Sequence, residues 1–242
     1  MDPTQIESIT RRLAAEVRQN FNIDTHPKYG MHLLYALWQA KLCGYNKITA
    51  LEFGVAHGTG LKALESYAKI FGAEYDIQVE VFGFDTGAGL PSPRDYRDHP
   101  EIWQAGEFRG MLGQNNIIYG DVANTIDQFV NNWGDSKLAF VSLDLDFYSS
   151  TTSALKIFQM PPDRYVPAVM THLDDTNTQL TMNPWCGAEL AVIEFNQHNQ
   201  FRKFEQKHRC WNLHNLYVLH VLDHPVRNGT QQTLYPLNCS PL

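Results

Sequence analysis

Leu51-Glu52-Phe53-Gly54-Val55-Ala56-His57-Gly58-Thr59-Gly60 places an acidic residue and three glycines where an apolar run gives way to a helical pattern. The run leading into it, Ile48-Thr49-Ala50-Leu51-Glu52-Phe53, reads as a strand. After it, apolar residues recur at Leu61, Leu64, Ala68 and Phe71, the spacing of a helix face at about 3.6 residues per turn. Glycines at such a junction let the backbone come close to a ligand and accept positive φ. Glu52 narrows the ligand class, because an anionic side chain beside the loop repels a pyrophosphate and attracts a group carrying an amine or a sulfonium. Glu52, Gly54, Val55, His57, Gly58 and Gly60 are therefore candidate ligand contacts. A tight turn with no ligand is the competing reading of a glycine loop taken alone.

Outward from this loop the chain alternates. Strand candidates stand at Val79 to Asp85, Asn116 to Tyr119, Leu138 to Asp146 and Tyr165 to Leu173, separated by helical patterns such as Val122, Ile126, Val130 and Trp133. Such alternation implies an α/β fold with a parallel sheet and helices on both faces. Phe201 to Gln206 and Leu216 to Leu222 read as two further strands with no full helix between them. Two helices precede the loop, one with Ile6, Ile9, Leu13 and Val17 on a face and one over Met31 to Cys43, broken at Asp24-Thr25-His26-Pro27. The expected organisation is one domain overall, a helical N-terminal extension over residues 1–45 joined to an α/β domain over 46–242. A chain of 242 residues with 43% hydrophobic content can bury one sizeable core.

Net charge of −7 argues against a nucleic-acid partner, which would need a basic face to neutralise phosphates. No apolar run reaches the roughly 20 residues of a membrane span, and Met1-Asp2-Pro3-Thr4 does not begin a signal peptide. Cys43, Cys186, Cys210 and Cys239 have no metal-ligand spacing, so reduced thiols and a cytoplasmic location are expected. A small-molecule substrate is the partner class these features leave.

In open α/β sheets ligands lie beyond the carboxyl ends of the strands. Asp85, followed by Thr86, ends one strand and suits either a ribose diol or a helix N-cap. Gly120-Asp121 ends another, and Asp121 also suits an N-cap. Ser142-Leu143-Asp144-Leu145-Asp146-Phe147 and Thr171-His172-Leu173-Asp174-Asp175-Thr176 bring four carboxylates to neighbouring strand ends. Carboxylates converging on one rim repel unless a cation sits among them, and hard oxygen donors select Mg²⁺, Ca²⁺ or Mn²⁺ over zinc. For a single Asp, helix capping or plain hydration competes with this reading.

Glu52-x-Gly54-x-x-x-Gly58-x-Gly60 resembles motif I of the class I S-adenosylmethionine-dependent methyltransferases, in the form typical of metal-dependent O-methyltransferases. Three segments are similar to the macrocin-type O-methyltransferases, which act on sugar hydroxyls. They are Phe84-Asp85-Thr86-Gly87-Ala88-Gly89-Leu90-Pro91, Asp144-Leu145-Asp146-Phe147-Tyr148-Ser149-Ser150-Thr151, and Trp185-Cys186-Gly187 leading into Ala191-Val192-Ile193-Glu194-Phe195. The resemblance runs from about Ile48 to His198. It implies a Rossmann-like, seven-stranded, mostly parallel sheet closed by a C-terminal antiparallel pair. As cofactors it implies S-adenosyl-L-methionine and Mg²⁺ or another divalent cation. Asp144, Asp174 and Asp175 would hold the metal, Gly120-Asp121 the adenine side, and His57 would lie near the methionine portion. A hydroxylated small molecule is the implied acceptor and a homo-oligomer the implied assembly.

Asp146 and His172 are the candidates for taking the acceptor's proton alongside the metal site at Asp144. His172 stands where an apolar residue is usual in that group, and Phe147 stands where the catechol-type branch has a Lys. Residues 91–111, with Tyr96, Trp103 and Phe108, read as a cover over the substrate or an ordinary surface loop. Two other functions share these motifs: a nucleotide-sugar glycosyltransferase using Asp144-Leu145-Asp146, and a non-catalytic S-adenosylmethionine-binding protein.

Overall fold

The apolar run ending at Glu52-Phe53 forms the centre of the sheet. A computed structural model of the chain describes residues 26–98, 116–176, 183–207 and 216–227, with Ala15 and Gln19. Strand β1 (Lys47–Phe53) is buried at every position after Lys47, as a parallel strand covered on both faces must be. Its neighbours are β2 (Gln78–Asp85) on one side and β4 (Lys137–Leu143) on the other. Strand β3 (Ile117–Tyr119) lies outside β2, and β5 (Tyr165–Leu173) lies beyond β4. Strands β6 (Arg202–Gln206) and β7 (Leu216–Val221) close the sheet as an antiparallel pair, giving the order β3-β2-β1-β4-β5-β7-β6. The seven-stranded, mostly parallel sheet expected from the sequence is thus what forms. Ile6, Ile9, Leu13 and Val17 of the first helical pattern lie outside the described residues, as do Cys210 and Cys239.

Side-chain parity on β1 separates the two helical layers. Helix α1 (Pro27–Leu42) and helix α2 (Thr59–Tyr75) cover the face to which Glu52 points, since Tyr29 and Gly60 both meet its carboxylate. Helix α3 (Val122–Asn132) covers the opposite face, where Phe129 meets Phe84, which stacks on Phe53, and Trp133 donates to Thr49 Oγ1. Helices α4 (Tyr148–Ala154) and α5 (Gly187–His198) continue that layer.

The chain moves outward from β1 through β2 to β3 and then crosses to β4 on the other side of β1. This reversal opens a crevice between the ends of β1 and β4, the usual ligand position in such sheets. Hydrogen bonds carry the ladder one residue past four strands, with the end of β2 accepting two of them: Gly54 N–H to Phe84, Gly120 N–H to Asp85, Asp144 N–H to Phe53 and Asp174 N–H to Leu143. The loops after five strands therefore leave the sheet in one row.

Helix α1 belongs to the same core as the sheet. Leu33, Ala36, Leu37 and Ala40 are fully buried in it. Between Tyr165 and Met170 strand β5 bulges against β4. There Gln39 supplies the missing partners, its Nε2 donating to Ala168 O at 2.8 Å and its Oε1 accepting from Ala168 N at 2.7 Å. The helix thus satisfies backbone groups that the sheet leaves open.

Candidate functional site

The glycine loop is shaped by its own chain as much as by any ligand. Gly54 has φ +84°, and a Cβ there would lie 1.7 Å from the Asp144 carbonyl oxygen, so β1 and β4 approach too closely for a side chain. Gly58 is left-handed at φ 75° and leads into α2. A Cβ on Gly60 would lie 2.2 Å from Glu52 Oε1, so this glycine makes room for the carboxylate. The sequence reading assigned the glycines to ligand approach. At Gly54 and Gly60 the structure adds a second demand, the close approach of the chain's own backbone and of Glu52. Ala56 is held at φ 45°, and His57 is exposed.

Asp85 secures the same loop from β2. Its Oδ2 accepts from Val55 N–H and Ala56 N–H, both at 3.0 Å, and its Oδ1 accepts from Gly87 N–H at 2.7 Å. No helix follows it, so the N-cap alternative does not hold for Asp85. Thr86 closes the next turn, donating to Gly89 O at 2.7 Å and accepting from Ala88 N–H at 3.1 Å. Asp121 does cap α3, accepting from Ala123 N–H at 2.8 Å, beside Gly120 at φ +133°.

One rung of the sheet carries polar side chains across three strands. Glu52 pairs with Ser142, and Ser142 with His172, all on the face beneath α1. Tyr29 of α1 lies over this row, its hydroxyl 2.9 Å from Glu52 Oε1 and 2.7 Å from Ser142 Oγ, its ring edge-on to His172. Glu52 is only 3% exposed, and its Oε2 is buried without a partner. Burial pushes its carboxyl up to about 8, against the lowering effect of the Tyr29 hydrogen bond. His172 is 4% exposed, and its Nε2 lies 3.2 Å from Asp174 Oδ1. Burial lowers its pKa, against the raising effect of the Asp174 hydrogen bond and charge. His32, three residues after Tyr29, meets the His172 ring, and burial drives it down to about 3.

One rung further out stand the acids. Strand β4 ends at Leu143, three residues short of the expected Asp146. Asp146 takes φ 57° and Phe147 N–H bonds to Leu145 O, turning the chain out of the sheet. Asp144, Asp174 and Asp175 each present a carboxylate oxygen within 4.8 Å of the others. Asp146 N–H donates to Asp175 Oδ2 at 2.9 Å, fixing that carboxylate. Burial, then the charges of Asp175, Asp174 and Asp146, hold the Asp144 carboxyl well above its ordinary range. Burial and Asp174 raise Asp175 to about 6. Crowded hard oxygen donors whose ionisation is suppressed by one another suit a divalent cation.

Sequence reasoning missed Tyr29 and Asp98. Asp98 is 1% exposed and accepts from Arg94 N–H at 2.6 Å and Ser149 N–H at 2.7 Å, pinning residues 94–98 to the start of α4. Residues 99–111 of the expected cover, with Trp103 and Phe108, lie outside the described residues. The one available signal for Tyr29 was two polar aromatics, Tyr29 and His32, at helical spacing on an otherwise apolar stretch.

No family model matches the chain, and no curated protein matches it. Among solved structures, CalS11, described as a calicheamicin methyltransferase, is similar over 90% of this chain and 91% of its own, with TM-score 0.53 and 20% identity. NovP, described as an O-methyltransferase, is similar over 90% of this chain and 99% of its own, with TM-score 0.50 and 15% identity. The chain has the α/β fold of these methyltransferases.

Proposed function

We propose that the chain is an S-adenosylmethionine-dependent O-methyltransferase that uses Mg²⁺ or a similar divalent cation and acts on a hydroxyl of a sugar or other small polar molecule. The observation that carries this reading is the pairing, at one crevice, of two features one strand apart. They are a buried, unpartnered carboxylate oxygen on Glu52 beside the glycine loop, and the Asp144, Asp174 and Asp175 oxygens on the neighbouring rim. The sulfonium of the first cofactor would supply an electrophilic methyl group, and the cation would supply a Lewis acid that lowers the pKa of the acceptor hydroxyl.

The chain's own residues define the rest. Glu52 Oε2 offers the amino group of the methyl donor a buried acceptor, and ionisation of Glu52 accompanies that contact. Asp85 Oδ2 holds the Val55 and Ala56 amides, so the loop is formed in advance. Asp144, Asp174 and Asp175 would hold the metal and so bring the acceptor oxygen to the mouth of the loop. His172 orients Asp174 from below and is closed off from a substrate, which leaves Asp146, partly exposed on the rim, to take the hydroxyl proton. The nucleotide-sugar alternative gains nothing from the structure, because the metal-competent group joins Asp144 to Asp174 and Asp175 and does not contain Asp146.

The test is transfer of labelled methyl from S-adenosylmethionine to a panel of hydroxylated sugars, with Mg²⁺ and with EDTA. Transfer that needs Mg²⁺ and falls at least a hundredfold in Asp144→Asn supports the reading. Transfer undiminished by EDTA overturns the metal's part in it.

A further inference from the structure

We infer that the Tyr29 hydroxyl of α1 is a positioning residue for the methyl-donor pocket, fixing the Glu52 carboxylate so that its second oxygen faces the donor's amino group. This rests on the proposed function and adds a residue and an element to it. Tyr29 is held on all sides. Its ring is 4% exposed and lies edge-on to Phe140 at 5.5 Å and to His172 at 5.4 Å. Its Cε2 would stand 3.2 Å from a Cβ on Gly60. The hydroxyl is thus delivered to one place.

At that place it bonds Glu52 Oε1 at 2.9 Å and Ser142 Oγ at 2.7 Å. A phenol has a single proton. When Glu52 is ionised, Tyr29 O–H donates to Oε1 and Ser142 O–H donates to Tyr29, so both hydroxyls point toward the carboxylate. When Glu52 carries a proton, the same two contacts run in reverse. One carboxylate oxygen is occupied in either state while Oε2 stays buried and unpartnered. Gly60 leaves the space that Oε1 occupies, since any side chain there would strike it. Tyr29 and Gly60 together hold Oε1 in that place.

The groups facing Glu52 are Tyr29 from α1, Glu65 from α2, Asp85 from β2 and Asp144 beyond β4, with Ser142 beside it on the same rung of the sheet. Tyr29 is the member that donates to it from the helical layer. Residues 27–42 are then a wall of the pocket as well as a cover for the sheet.

The experiment is calorimetric binding of S-adenosylhomocysteine to the full chain, wild type, Tyr29→Phe, Glu52→Gln and the double variant, with melting temperatures measured alongside. Phe keeps the ring contacts and removes only the hydroxyl. The expected result is a loss of affinity of about tenfold for Tyr29→Phe in the wild type and less than twofold in the Glu52→Gln background, since a neutral amide no longer needs orienting as an anion acceptor. Ser142→Ala, which releases the other end of the same hydrogen-bond chain, is expected to show a smaller loss with the same dependence on Glu52, and it decides the matter if Tyr29→Phe fails to fold. Wild-type affinity in Tyr29→Phe, or an equal loss in both backgrounds, overturns the inference. No binding by the wild type overturns the proposed function itself, and this assignment with it.

Discussion

Glu52 is a buried carboxyl that costs stability once it ionises. Its carboxyl is raised to about 8 from an ordinary value of 4.5. A group whose folded pKa is raised contributes stability that is fully present below the unfolded value and is lost as pH rises through the folded one. Between pH 5 and pH 9 the protein is therefore expected to lose stability through Glu52, by on the order of 3 kcal/mol. Glu52→Gln should flatten this dependence in melting curves while weakening S-adenosylhomocysteine binding at least tenfold. Identical pH profiles for the two proteins would show that the carboxylate is not buried as described. Asp144 obeys the same logic on the rim, where like charges crowd it. Asp144→Asn should raise the melting temperature without metal and abolish any further rise on adding Mg²⁺, a trade between stability and function common at such sites.

The elements were unequally legible in the sequence. Strand β5 runs from Tyr165 to Leu173 as the apolar run indicates, because burial on both faces leaves an unbroken hydrophobic signature. Strand β4 was read too long, since its apolar pattern continues through Leu145 and Phe147 while the turn is made by one positive φ at Asp146. The convergence of the rim acids was readable because neighbouring parallel strands end side by side. The contact of Tyr29 with Glu52 was not, because it depends on where α1 docks, which no local pattern encodes. The two interlocks that set this docking can be tested. Gln39→Ala strips partners from the Ala168 N–H and C=O and is expected to cost about 1–3 kcal/mol in denaturant unfolding. Gly54→Ala, forced against the Asp144 backbone at a positive φ, is expected to cost more than that, on the order of 4 kcal/mol. Values near zero for either would mean that the helix or the loop sits elsewhere.

At the scale of the molecule, the sheet order creates the crevice and the continued ladder delivers five strand-end loops to it in one row. Within the single domain expected from the sequence, α1, which lies within the 1–45 extension, packs on the sheet. Its buried face belongs to the main core, and Tyr29 reaches Glu52 at 2.9 Å. A chain beginning at residue 46 is expected to lose cooperative thermal unfolding by circular dichroism. A sharp transition from that fragment would show that α1 is not needed for the fold. No helix among the described residues is long and apolar enough to cross a membrane.

The most direct test of the account is calorimetric titration of the wild-type protein with S-adenosylhomocysteine, in Mg²⁺ and again in EDTA. The account expects one site per chain with similar affinity in both conditions, because the donor pocket is built from Glu52, Asp85 and the glycine loop while the metal rim serves the acceptor. Absence of binding in both would contradict the central claim.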